Sequence, residues 1–130
     1  MAAKVQLMKL KMRAKGVQSL PQDERVYLKV LLPRESHKGQ SSEVFVSKLW
    51  SMGRVVDAVA ELSKVPNKNN VSGAAKLRLF RFQDGLHLTE DFEKTVAAFV
   101  EAEELFNGDS VILEYVKDGE ECQVEPKLYK

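Results

Sequence analysis

The order of predicted elements between residues 24 and 116 is the feature that most constrains the fold of this chain. Residues 25–33 alternate between apolar and mixed positions, which is the period of a strand with one buried face. Residues 51–65 place apolar side chains at helical spacing behind Ser51, a residue type that caps helices. In chain order we predict a strand at 25–33, a hairpin loop at 34–42, a strand at 43–50, a helix at 51–65, strands at 76–82 and 86–88, a helical piece from Thr89 through Glu104, and a strand at 110–115. This order predicts an α+β domain.

The two ends of the chain have different patterns from the part between them. Residues 4–15 place Val5, Met8 and Met12 at helical spacing among Lys and Arg, which predicts a short amphipathic helix ending at Gly16. So short a helix is marginal in water, so we expect it to dock on the domain. The sequence therefore predicts a helix and connector at 1–23, a domain at 24–116 and a flexible polar tail at 117–130.

Composition and charge exclude several classes of function. The chain has 130 residues, which favours one domain, and a formal net charge of +1, which gives no general attraction to nucleic acid or an anionic membrane. No apolar run approaches the roughly 20 residues of a membrane span. A lone cysteine, Cys122, cannot form an internal disulfide, so a reducing cytosolic location is expected.

The residues that carry catalysis or bind metals are too few and too scattered to form a site. Structural zinc usually takes four Cys or His ligands, and this chain offers only His37, His87 and Cys122. Catalysis requires a nucleophile or base with convergent partners, and no such set can be named. We expect no enzyme activity and no cofactor.

A resemblance to a known family adds to this reading. The layout from the helix after Trp50 to the last strand resembles ubiquitin, a β-grasp in which a mixed sheet wraps around one helix. Nearly the whole chain is similar to the ubiquitin-like region of the ZFAND family of AN1-type zinc-finger proteins. The residues that carry this similarity are Leu7–Met12, Ser19–Gln22, Glu24 and Arg25, Trp50 and Ser51, Lys76–Leu79, Asn107 and Gly108, and Ile112–Tyr115.

The resemblance implies a function that composition and periodicity do not. Members of this family carry paired zinc fingers upstream, so the sequence looks like the ubiquitin-like part alone. The resemblance implies a non-catalytic adaptor that binds the N-terminal domain of valosin-containing protein, a hexameric AAA unfoldase. It also implies a link to proteasomal clearance of stress granules. The location that it implies is the cytoplasm, with stress granules as a possible site within it.

The same resemblance suggests where a partner would dock. Arg78 and Glu114 stand where ubiquitin has exposed apolar residues, so a charged pair across two strands would interrupt that patch. In unfoldase-binding domains of the UBX class, an arginine late in the first strand and a Phe-Pro-Arg turn make the contact. Here Leu31 stands at the first position and the turn has no proline. The predicted partner-binding residues are Lys29, Leu31, Arg78, Phe80, Arg81 and Phe82.

The sequence leaves alternatives open for one pair of residues and for the function of the domain. Phe80 and Phe82 share a strand face, so one ring could belong to the core while the other is half-buried. The domain could also contact the proteasome or a ubiquitin receptor, or it could associate with a second copy through its N-terminal segment. Neither alternative involves nucleic acid or a membrane.

Overall fold

The computed structural model of the chain describes residues 11–33, 40–67, 75–83, 85, 87–88 and 92–116. Residues 11–13 are helical, and a 3-10 turn at Gln22–Glu24 leads into the sheet. The remaining elements, in chain order, are β1 (Arg25–Leu31), β2 (Ser41–Ser47), α1 (Met52–Leu62), β3 (Lys76–Arg81), α2 (Val96–Glu101) and β4 (Asp109–Val116).

The four strands form one mixed sheet in the order β2-β1-β4-β3. β1 pairs antiparallel with β2, where Arg25 lies opposite Ser47, and parallel with β4, where Leu28 lies opposite Asp109. β3 pairs antiparallel with β4 at the other edge. The first and last strands therefore lie side by side at the centre of the sheet.

The inner face of the sheet packs against α1, and this contact forms the main core. α1 presents Val55, Val56 and Val59 to strand residues that alternate along β1, β3 and β4. Burial of each such side chain contributes about 1.5–3 kcal/mol relative to exposure. The predicted cap is confirmed, because the Ser51 side chain accepts a hydrogen bond from the Arg54 amide at 3.4 Å.

The second helix is much shorter than its apolar spacing predicts. The Met52 and Gly53 amides of α1 donate to the carbonyls of Lys94 and Phe92, at 2.9 and 3.0 Å. Residues 92–95 thus supply acceptors for the first turn of α1, where amides lack partners inside the helix. The predicted helix from Thr89 through Glu104 is therefore wrong in extent: α2 begins after Thr95, whose side chain accepts from the Ala98 amide at 3.2 Å, and ends at Glu101.

The N-terminal segment also departs from its predicted helix. Lys15 does not continue the helical turn of residues 11–13 but forms a parallel bridge with Val44 of β2. Its amide donates to the Glu43 carbonyl, and its carbonyl accepts from the Phe45 amide, both at 2.9 Å. The edge of β2 presents backbone groups that need partners, and this requirement outweighs the helical pattern there.

No helix among the described residues has the length and apolarity to cross a membrane. Several predictions fall on residues outside the described ranges. They concern residues 4–10 of the N-terminal helix, His37, Thr89, and the tail at 117–130 with Cys122. The predicted strand at 86–88 is described only at His87 and Leu88, where His87 makes a single bridge with Phe80.

Candidate partner-binding face

Five of the six predicted residues lie on the outer face, which we define as the face of the sheet opposite α1, and four of them, all but Arg78, lie together. They occupy two adjacent rows that cross β1, β4 and the end of β3. From the strand register and the Phe82 amide bond to the Ser110 carbonyl, the rows are Lys29–Ser110–Phe82 and Leu31–Ile112–Phe80. Lys29 is exposed, whereas Leu31 and Phe82 are half-buried. Alternation along the strands therefore places these four residues on one face.

Phe80 does not offer a surface to a partner. Its side chain is 0% exposed and packs with Ile112 and Val116, and half-buried Leu31 and Phe82 lie against this cluster. The ring of His87 also stacks on that of Phe80, with centroids 5.2 Å apart. Of the two readings of the phenylalanine pair, the structure supports the one with Phe80 in the interior and Phe82 at its rim. The idea of an exposed Phe80 is corrected accordingly.

Arg78 is engaged within the domain. It lies directly opposite Glu114 across β3 and β4, so the two strands are neighbours as predicted. The Arg78 guanidinium lies over the ring of Phe92, 4.6 Å from its centroid, and Nη1 donates to the Leu77 carbonyl at 2.9 Å. Arg78 is thus held by contacts within the domain.

Arg81 alternates with Phe80 and Phe82, so it lies on the other side of β3, but at the end of the strand and next to the turn that carries Phe82. It is the last residue of β3, and its Nη1 donates to the Glu104 carbonyl at 3.3 Å, beyond the end of α2. The Gly85 amide donates back to the Arg81 carbonyl at 2.7 Å, and Gly85 has a φ of 74°. Glycine adopts that backbone conformation at no steric cost, so this turn closes tightly beside Phe82.

The N-terminal segment covers the part of the outer face that lies on β1 and β2. Tyr27 and Phe45 are buried there under Ala14 and Leu20, with their ring centroids 5.5 Å apart. The Arg25 guanidinium lies 4.3 Å from the centroid of the Phe45 ring. Sequence reasoning expected this segment to dock but gave no sign of where, because its contacts are with residues far along the chain.

Gly16 lies in close contact with Phe45 of β2. A Cβ atom at this position would lie 2.7 Å from both the Phe45 carbonyl oxygen and the Cε2 atom of its ring. Real Cβ atoms essentially never approach other atoms so closely, so only glycine fits without a shift of the chain. The residue that ends the helical pattern is thus also the residue that permits the contact.

Among the described residues, no three His, Cys, Asp or Glu side chains are grouped to hold a metal ion. The Tyr115 phenol donates to the Pro66 carbonyl. Burial raises the pKa of Tyr115 above its ordinary value of 10.0, and the nearby Glu114 carboxylate raises it further.

The mixed sheet packed on one principal helix is the β-grasp of ubiquitin-like domains, which confirms the predicted fold class. The chain belongs to the ZFAND1-like ubiquitin-like domain family, whose model matches residues 45–117. The family and the fold are generally non-enzymatic. The chain is also similar to the solution structure of the C-terminal ubiquitin-like domain of mouse tubulin-specific chaperone e, with a TM-score of 0.50 at 17% identity. That likeness covers 81% of this chain and 100% of the other, and it concerns the fold alone.

Two relatives carry the resemblance across almost the whole chain. AN1-type zinc finger protein 1 of Mus musculus is 48% identical, and that of Homo sapiens is 44% identical, each over 122 residues and 92% of this chain. The chain spans 44% of the length of either relative. The predicted resemblance to this zinc-finger family is confirmed.

Proposed function

We propose that the chain is a non-catalytic adaptor that binds the N-terminal domain of valosin-containing protein, the hexameric AAA unfoldase. By this proposal it links the unfoldase to proteasomal clearance of stress granules in the cytoplasm. The observation that carries the proposal is the row Lys29–Ser110–Phe82 on the outer face, which ends at the turn after β3. There exposed Lys29 and half-buried Phe82 flank Ser110, and Arg81 lies just before the turn.

The residue types at this turn suit a protein interface. Aromatic and arginine side chains supply a large share of binding energy in interfaces, especially when a rim of other contacts excludes water. The phenyl ring of Phe82 already packs against a buried cluster, so it is fixed before a partner arrives. A fixed side chain loses less conformational freedom on binding, and this favours affinity.

The charges elsewhere on the face support an unfoldase over a ubiquitin receptor. Arg78 and Glu114 occupy the middle of β3 and β4, where a receptor helix would need apolar contacts. Removing water from such charges without a matching partner is unfavourable. The proposal therefore sets the contact at the turn end of β3 and away from its middle.

A titration against the isolated N-terminal domain of valosin-containing protein tests the proposal. We expect the double variant Arg81→Ala and Phe82→Ala to weaken binding about tenfold, the usual effect of losing interface anchors. Lys48→Ala is the control on another part of the surface, because Lys48 is exposed and directly follows β2.

Each outcome of the titration decides a different part of the proposal. Unchanged affinity of the double variant would refute the docking site, and a wild-type chain that does not bind would refute the partner. Thermal unfolding of both variants must match wild type, so that lost binding reports the surface and not the fold. The link to the proteasome fails if chain, unfoldase and purified proteasome do not elute together.

A further inference from the structure

We infer a second interaction surface, at the end of the domain formed by α2, that fits a partner segment in which Lys or Arg flank apolar side chains. The described residues include five large apolar side chains that are exposed, and three of them lie at this end of the sheet. They are Leu49 at 63%, Phe106 at 57% and Val100 at 38% exposure. We call these three residues the α2-end patch.

Backbone hydrogen bonds bring the α2-end patch together. The Val96 and Ala97 amides donate to the carbonyls of Trp50 and Lys48, at 3.0 and 2.8 Å. The loop that carries Leu49 is thereby fixed against the first turn of α2. Val100 follows Val96 by four residues, so it lies on the same side of the helix one turn further along.

The chain after α2 folds back and returns Phe106 to the same end. The Glu104 and Leu105 amides both donate to the Phe99 carbonyl, at 2.9 and 3.3 Å. Leu105 is buried, and the Asp109 amide donates to the Phe106 carbonyl at 3.0 Å. The exposed ring of Phe106 therefore sits on an ordered turn between α2 and β4.

The charges around the patch determine the kind of partner. Glu101, Glu103 and Glu104 fill three of the five positions between Val100 and Phe106, and the first two are exposed. Of the nearest cations, Lys94 has its ammonium 4.3 Å from the centroid of the Phe99 ring, Arg81 donates to the Glu104 carbonyl, and Lys48 is exposed beside Leu49. An apolar strip beside exposed carboxylates is complementary to apolar side chains flanked by cations.

This surface is separate from the one proposed for the unfoldase. The β3 turn end offers exposed Lys29 and half-buried Phe82 on the outer face. The α2-end patch offers apolar side chains beside negative charge. An adaptor with two separate surfaces could hold two partners at once, and loss of one contact would leave the other intact.

A pair of model peptides tests the inference on the full chain. Both have 14 residues with Leu at positions that share one helical face; the remaining positions are Lys in the probe and Glu in the control. Because the formal net charge of the chain is only +1, a cationic peptide is not attracted to it in general. We expect the Lys peptide to shift the backbone amide signals of residues 48–50 and 96–106 in NMR spectra, and the Glu peptide to leave them unchanged.

Three variants locate the contact. Phe106→Ser should weaken binding of the Lys peptide about tenfold, as the loss of a central apolar anchor does. Glu101→Lys with Glu103→Lys should weaken it by a similar factor at low salt and reduce its salt dependence. Met12→Ser is the matched control, since Met12 is 85% exposed yet lies in the N-terminal segment, and its affinity should stay within about twofold of wild type.

Several results would overturn the inference. They are no binding of the Lys peptide, equal binding of both peptides, signal shifts centred on residues 29 and 82, or unchanged affinity after charge reversal. The charge reversal keeps the test decisive even where Phe106→Ser affects folding, because both glutamates are exposed. None of these results depends on unfoldase binding, so the two proposals can fail separately.

Discussion

Replacing Gly16 by alanine tests whether the N-terminal segment is a fixed part of the domain. The new Cβ would lie 2.7 Å from the Phe45 carbonyl oxygen, where ordinary contacts begin at 3.4 Å, so the segment must retreat by roughly 0.7 Å. Such a shift takes the two 2.9 Å bonds of Lys15 past hydrogen-bonding distance. Because the retreat relieves the overlap, the cost that remains is that of the two lost bonds, about 1 kcal/mol each. We expect the free energy of unfolding to fall by about 2 kcal/mol.

Gly53→Ala makes the same chemical change at a position that accepts it. Its Cβ would lie 3.4 Å from the Phe92 Cβ, an ordinary contact, and alanine favours a helix over glycine by about 0.5–1 kcal/mol. Because Gly53 lies in the first turn of α1, we expect a gain of at most about 0.5 kcal/mol there. The same substitution should therefore change stability in opposite directions at the two glycines.

Urea unfolding followed by circular dichroism measures both free energies, and hydrogen exchange locates the effect. In Gly16→Ala the Phe45 amide, which donates to Lys15, should exchange faster. The Phe82 amide, bonded to the Ser110 carbonyl on the far side of the sheet, should exchange faster only by as much as the lower free energy of global unfolding requires. If Gly16→Ala unfolds at the same urea concentration as Gly53→Ala and the Phe45 amide stays protected, a Cβ at position 16 does not displace the N-terminal segment.

Two further predictions concern the turn before β4 and the alkaline limit of stability. Asn107→Ala should lower the free energy of unfolding by about 1 kcal/mol, because the Asn107 Oδ1 atom accepts a hydrogen bond from the Tyr27 amide at 2.7 Å. Asn107→Asp keeps an acceptor oxygen and should restore most of that free energy. An equal loss in both variants would exclude this bond as the cause. Tyr115 has a raised pKa in the folded state, so the unfolded chain releases its proton first and stability should fall above about pH 10. Between pH 8 and pH 11, urea unfolding should show a smaller loss of unfolding free energy for Tyr115→Phe than for wild type. An equal loss in both would contradict the role of Tyr115.

Local patterns were sufficient to predict the strands, α1 and its cap. The strand period places alternating residues on opposite faces, and Ser51 is the type of residue that satisfies a free amide at a helix start. Both signals lie within a few residues of the structure they predict. The short extent of α2 was not predictable in this way, because the carbonyls of Phe92 and Lys94 bind amides of α1 some 40 residues earlier in the chain.

On the candidate partner-binding face too, features set by neighbouring residues were predictable, and features set by residues distant in the chain were not. Alternation correctly places Phe80 and Phe82 on one face, but the complete burial of Phe80 depends on what packs over the sheet, which the strand does not encode. Leu49 and Phe106 gave no sequence signal as surface residues, since exposed apolar side chains are common and are notable only when they come together. The Asn107–Gly108 turn was recognised, but not its bond to the Tyr27 amide.

The position of β4 has a consequence for how the protein is made. Of the four described strands it is the last to be synthesised, yet it lies between β1 and β3, so this sheet cannot assemble until residues 109–116 have left the ribosome. At about 5–20 residues per second, roughly 3–14 s pass between the completion of β2 and that of β4. A hairpin of two strands is marginally stable on its own, and its apolar inner face stays uncovered for that time. Folding of this module is therefore expected to follow the release of its C-terminal strand, and molecular chaperones have their opportunity to bind during that interval.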